Sequence, residues 1–205
     1  AALGAPPKTK ELSSVINGYL KQNKYDSAYR LFLFSLTDEE RKLGGYVFNG
    51  TFEPLYSSKA FDWKIANQPG LELTFSTSHQ AVEGEEGATV RFLNAPIKNL
   101  ALYQYVELPS GSYRISLLAS GRNLKLPKGF FWSLRCVNAP DNIGRLDIPE
   151  GTFNRQNISQ DIVVPAVGCP LQVLRLEASS IAESWRFRYA GTLVMHKLGI
   201  ERVPS

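Results

Sequence analysis

Gly45-Tyr46-Val47-Phe48-Asn49-Gly50-Thr51-Phe52-Glu53-Pro54, residues 45–54, is where the character of the chain changes. Upstream, apolar residues recur at the three-and-four spacing of helices. Downstream they alternate with polar ones, and Gly, Pro and Asn punctuate the runs. The stretch reads as an opening strand that leads into Phe61-Asp62-Trp63. About eight or nine strand candidates follow with no helical pattern between them, and the polar residues 138–157 among them read as a long loop. This predicts a mainly β chain, an antiparallel β-sandwich or jelly roll, over residues 45–205.

Working back from residue 45, the sequence predicts a short αα-hairpin over residues 9–44, after a flexible lead at residues 1–8 that contains Gly4, Pro6 and Pro7. Leu12, Val15, Ile16, Tyr19 and Leu20 share one face of a first helix. Ala28, Leu31, Phe32, Ser35 and Leu36 line a second, expected over residues 25–43 and stopped by Gly44-Gly45. The run from Tyr19 to Ala28, with Leu31-Phe32 and Leu36, resembles a single tetratricopeptide repeat. Such repeats bury their faces by stacking, so a lone copy implies either a cover over the sandwich or the last unit of a longer array.

The chain has 205 residues, 43% of them apolar and 20% charged, and a net charge of +4. No apolar run approaches the ~20 residues of a membrane span. No basic block suggests nucleic acid. Residues 1–7 lack the apolar stretch of a signal peptide, so either a leader has been removed or the chain is an excised fragment. Catalytic candidates are sparse. His79 and His196 share no motif, and Glu83, Glu85 and Glu86 sit together in one charged turn. A non-enzyme is expected.

Asn49-Gly50-x-Phe52-Glu53 with Trp63 following, and Gln104-x-Val106-x-Leu108-x-x-Gly111-x-Tyr113, both resemble motifs of carbohydrate-binding modules of the galactose-binding-like superfamily. The resemblance implies a periplasmic or secreted, non-catalytic module with carbohydrate or polysaccharide as partner. It also implies that Cys136 and Cys169 form a disulfide rather than two buried thiols, since these modules are exported. Members commonly hold a structural calcium ion. Here Glu53 remains, but His196 and Lys197 stand where the resemblance calls for an acid, so calcium is disfavoured and no cofactor is expected.

Sugar binding needs exposed aromatic faces with polar groups beside them. If Val106, Leu108, Ile115 and Leu117 face inward, strand alternation turns Tyr103, Tyr105 and Glu107 outward. Trp63 joins the pool of aromatic candidates. Arg186 and Arg188, in Trp185-Arg186-Phe187-Arg188-Tyr189, would suit acidic sugars. Trp132 shares a face with Phe130, Leu134 and Cys136 and is expected in the core. The alternative reading is a structural or protein-interaction sandwich that has lost sugar binding, with Tyr103 and Tyr105 covered and the helical hairpin contacting another protein.

Overall fold

A computed structural model of the chain describes residues 9–54, 59–66, 69–77, 86–97, 100–179 and 186–204. The predicted lead, His79, Glu83, Glu85 and Trp185 lie outside these residues. Among these residues three helices come first, α1 (Thr9–Lys21), α2 (Tyr25–Phe34) and α3 (Asp38–Lys42). Ten strands follow: β1 (Lys64–Ile65), β2 (Leu71–Ser76), β3 (Gly87–Ala95), β4 (Leu100–Val106), β5 (Gly111–Lys125), β6 (Phe131–Cys136), β7 (Asn142–Asp147), β8 (Gly151–Val164), β9 (Gln172–Glu177) and β10 (Tyr189–Arg202). They form two antiparallel sheets of five strands, ordered β1-β4-β9-β6-β7 and β2-β3-β10-β5-β8. The chain is a mainly β sandwich with an N-terminal helical unit.

Alternation builds the core between the sheets. Tyr113, Ile115, Leu117 and Ala119 of β5, Leu193, Met195, Leu198 and Ile200 of β10, and Trp132 and Leu134 of β6 are all buried in it. The stretch expected as a loop over residues 138–157 contains β7 and the start of β8 instead. Both are edge strands, with long solvent-facing polar runs, so the apolar alternation that marks central strands is missing from them.

Residues 45–54 are not a strand, and the reason is backbone conformation. Asn49 and Phe52 both adopt positive φ, at 52° and 59°, which breaks extension. The stretch is instead a clamp built from side-chain hydrogen bonds. The Asn49 amide donates to Glu53 O and accepts from Glu53 N, each at 2.8 Å. Gln104 closes a similar pair on Phe48, accepting from its N–H at 3.1 Å and donating to its C=O at 2.8 Å. Leu198 N–H donates to Gly50 O, and a Cβ at Gly50 would lie 2.2 Å from Leu198 O, so glycine is required there. Val47 enters the main core while its neighbour Phe48 enters a second one.

That second core belongs to the helices. Ile16, Tyr25, Ala28, Phe32 and Leu36 pack on Phe48, Ala60, Phe61 and Leu171, with Tyr105 at the margin. The apolar face read from helical spacing therefore lies against the outer side of the first sheet. The single helix expected over residues 25–43 is interrupted after Phe34. Thr37 restarts it as α3 with a capping box, its N–H donating to Glu40 Oε2 at 2.7 Å and its side chain accepting from Glu40 N at 3.3 Å.

Glu40 also ties the helices to the sandwich. Lys59, only 3% exposed, donates to Glu40 Oε2 at 2.7 Å and to Ser35 O at 2.9 Å. Burial raises the Glu40 carboxyl, but the Lys59 ammonium and the Thr37 N–H outweigh it and hold the group below its ordinary value. A carboxyl lowered in this way adds stability above its unfolded pKa of about 4.3, and that stability disappears as pH falls through the folded value. Glu40→Gln should therefore be clearly less stable than the natural chain at roughly pH 6, with the gap narrowing toward pH 3. Urea titrations of both proteins at the two pH values measure it. An equal gap at both would show that the ionised carboxylate is not what holds the joint.

Candidate functional site

Strand β4 turns Leu102, Gln104 and Val106 inward, where they are buried, and leaves Tyr103 and Tyr105 on the outer side of the first sheet, both half-buried. Their rings meet edge to face with centroids 6.3 Å apart. The structure divides the predicted trio. Tyr105 also meets Phe61 edge-on at the margin of the second core, and burial, followed by the neighbouring Tyr103 and Tyr25, pushes its hydroxyl pKa up. Glu107 is raised by burial and then by Asp26, with Arg30 opposing, so its electrostatic neighbours are on α2. Tyr105 and Glu107 thus lie at the helical side, and Tyr103 heads the remaining face.

Pairing register shows what that face contains, because residues directly opposite on neighbouring strands point to the same side. Lys64 pairs with Tyr103, Tyr103 with Arg175, Arg175 with Ser133, and Ser133 with Arg145. This row crosses all five strands of the first sheet, about 19 Å at ordinary strand spacing. Alongside it runs Glu177-Phe131-Asp147, and on the helical side Tyr105-Val173-Arg135-Asn142.

The face is electrostatically built as well as shaped. Glu177, 4% exposed, accepts from Ser133 Oγ at 2.7 Å and from Arg135 Nη2 at 2.5 Å. Its other oxygen lies 3.1 Å from Arg175 Nε, an ion pair without hydrogen-bond alignment, since Arg175 Nε and Arg135 Nε both lack an aligned acceptor. A buried carboxylate held between two guanidiniums leaves a net positive charge and fixes both forks in place. Arg145 lies 3.8 Å above the Phe131 ring and grips Asp147 at 2.6 Å. Burial lowers the Lys64 pKa, with Asp62 opposing. A tyrosine ring flanked by ordered cations can stack on a flat apolar surface and donate hydrogen bonds to oxygens at its rim.

Sequence reading missed Lys64, Arg175, Glu177 and Arg145. The alternation Phe131-Ser133-Arg135 was legible as an outward set, but nothing local says that β9 lies between β4 and β6. Among the described residues no group of three or more His, Cys, Asp or Glu is gathered to hold a metal.

Neither a family model nor a curated protein sequence matches the chain. Solved structures do. One described as "CBM4 structure and function" superimposes with a TM-score of 0.55 at 13% identity, covering 77% of this chain and 99% of that one. The chain has the β-sandwich fold of a carbohydrate-binding module. Two looser matches carry no further weight. TmCBM61 in complex with β-1,4-galactotriose gives TM-score 0.41 at 16% identity over 82% of this chain and 97% of the other. The module CBM6cm-2 of Cellvibrio mixtus lichenase 5A with cellotriose gives 0.40 at 15% over 71% and 99%.

Within this module-like sandwich the remaining predicted residues fall elsewhere. Trp63 is corrected: at 2% exposure it is core, its Nε1 donates to Asn49 O at 2.8 Å, and its ring packs on Phe52 and Trp132. It cannot present a face to a ligand. Arg186 and Arg188 are exposed but precede β10 in the second sheet, away from the strands that carry Tyr103. Between them Phe187 packs against the core under Lys128, whose Nζ is 4.1 Å from the ring centroid. Tyr189 is buried, which pushes its hydroxyl up to about 12.

Cys136 and Cys169 form a disulfide, with Cα atoms 5.0 Å apart. Glu53 and His196 line the same hollow of about 320 Å³, together with Glu86 and Arg155. His196 Nδ1 lies 2.9 Å from Glu86 O and so donates to it, and Nε2 lies 2.9 Å from Ser120 Oγ. Beside Glu53 and Glu86 the hollow holds a guanidinium, whose charge opposes a cation, and an imidazole with both nitrogens engaged, so the set is a poor match to the six-to-eight-oxygen shell calcium takes.

Proposed function

We propose that the chain is a non-catalytic carbohydrate-binding module of an exported protein, and that it holds polysaccharide on the outer face of the first sheet. The observation that carries the reading is the row Lys64-Tyr103-Arg175-Ser133-Arg145. It places one half-exposed aromatic ring beside Arg175, which the buried Glu177 keeps in position, with Lys64 and Arg145 at the two ends of the row. The excess of guanidinium and ammonium groups favours sugars that carry carboxylates. The disulfide supports an oxidising compartment. In this reading residues 9–44 are a helical cover that closes one end of the face, and residues 45–205 are the binding sandwich.

Affinity electrophoresis through gels containing polygalacturonate, alginate or a neutral β-glucan tests it. Retardation by an acidic polysaccharide is expected, weakened about tenfold or more, some 1.4 kcal/mol, in Tyr103→Ala and in Arg175→Ala. Folded natural protein that runs unretarded in all three gels would sink the proposal, and so would retardation that both variants leave unchanged. One observation favours a second reading, a protein contact through the helices: Phe34 is 72% exposed on α2, with Leu33 and Val15 also exposed. On that reading Phe34→Ser removes association with a protein partner in co-sedimentation and leaves gel retardation untouched.

A further inference from the structure

Strand β10 has a neighbour on both sides only along its first half. β3 accompanies it from Tyr189 to Met195 and stops, whereas β5 continues as far as Arg202. From residue 197 onward the other side meets the chain, among the described residues, at one backbone hydrogen bond, Leu198 N–H to Gly50 O at 2.8 Å. In an antiparallel ladder the N–H and C=O of a residue point to the same side, and the side alternates from residue to residue. Val203 N–H bonds Ser112 O on the β5 side. Leu198, Ile200 and Arg202 therefore direct their backbone groups away from β5. Beyond Gly50, Ile200 and Arg202 find no backbone partner on that side among the described residues.

This open edge is one wall of a groove of about 730 Å³ whose lining includes all of residues 197–202. The opposite wall is Tyr29, Gly44, Gly45 and Tyr46. The two glycines are exposed and put no side chain into the space. Lys42, Lys197 and Arg202 also line it against a single acid, Glu201. An exposed strand edge is a template for another strand, and proteins usually cover or blunt it. Here the loop at Gly50 covers one residue of it and then turns away.

We propose that this groove binds an extended, acidic peptide segment of another protein, which pairs with β10 as an added strand. The unpaired groups of Ile200 and Arg202 lie two residues apart, about 6.8 Å, a repeat that an extended peptide matches with its own N–H and C=O and that sugar hydroxyls do not. The basic lining sets the sign of the peptide's charge. The inference does not depend on the sugar reading, since the groove lies at the end of the second sheet and shares no residue with the row at Tyr103.

The test is a titration of the ¹⁵N-labelled intact chain with the blocked hexapeptide Thr-Glu-Val-Glu-Thr-Glu, followed by NMR. The same sequence with alternate backbone amides N-methylated is the control. Shifts centred on the Ile200 and Arg202 amides and slowed exchange of their protons are expected. Affinity should fall at least about tenfold for the N-methylated peptide and for Lys197→Glu/Arg202→Glu, both exposed positions. Equal binding of the N-methylated peptide would overturn the proposal, as would no shift at those amides. Stronger binding of oligogalacturonate at the same amides would make the groove a saccharide site instead. Shifts there that grow with protein concentration alone would make it a self-association edge.

Discussion

Trp63→Ala should lower the free energy of unfolding by about 3 to 5 kcal/mol, the range for removing a large buried aromatic. The side chain is 2% exposed and packs between Phe52 and Trp132, with ring centroids 5.3 and 5.5 Å away. Its indole N–H also holds the Asn49 carbonyl. The loss therefore combines a cavity in the main core with release of the clamp at residues 45–54. Urea unfolding measures it, and the midpoint should move far to lower denaturant. Any fall in polysaccharide retention should track the unfolded fraction. A variant of unchanged stability that no longer binds sugar would restore Trp63 as a ligand contact and contradict its place in the core.

Loss of the disulfide comes next in size. Cys136 ends β6 and Cys169 precedes β9, neighbours in the first sheet, and the bridge closes a loop with a sequence separation of 33. That loop contains β7 of the first sheet and β8 of the second, so the bridge fastens the crossing between the sheets at one end. Chain entropy for a loop of this length gives about 3 to 4 kcal/mol, a large share of the net stability of a domain. Cys136→Ala/Cys169→Ala, and the natural chain under strong reductant, should both unfold at lower denaturant by that amount. The single substitutions should match the double one, because either breaks the same bond. Unaltered stability on reduction would mean that strand packing alone holds the crossing.

The two outcomes bear on the sequence in different ways. Alternation placed Val106, Leu108, Ile115, Leu117 and Trp132 in the core, and the helical stripe of Ala28, Phe32 and Leu36 was legible as a buried face. Periodicity reports such things because each residue's side is set by backbone geometry within its own element. The opening stretch misled for a local reason: Asn49 and Phe52 take positive φ, and no spacing rule announces that for Phe. Edge strand β7 and the start of β8 look like loop in the sequence because their polar outer runs erase the period-two signal.

What the sequence determined by itself was therefore the class of fold, the inward and outward sides of the central strands, and the presence of an apolar helical face that required a partner. The tertiary structure alone decided which outward residues stand together. Tyr103 stands in one row with Lys64, Arg175 and Ser133 only because β4 pairs with β9 and β1, and β9 with β6. It likewise decided that Tyr105 and Glu107 pass to the helices and that Trp63 is buried. Burial and adjacency arise from contacts between residues far apart along the chain, and a local pattern of polar and apolar residues does not encode which of several possible neighbours a strand takes.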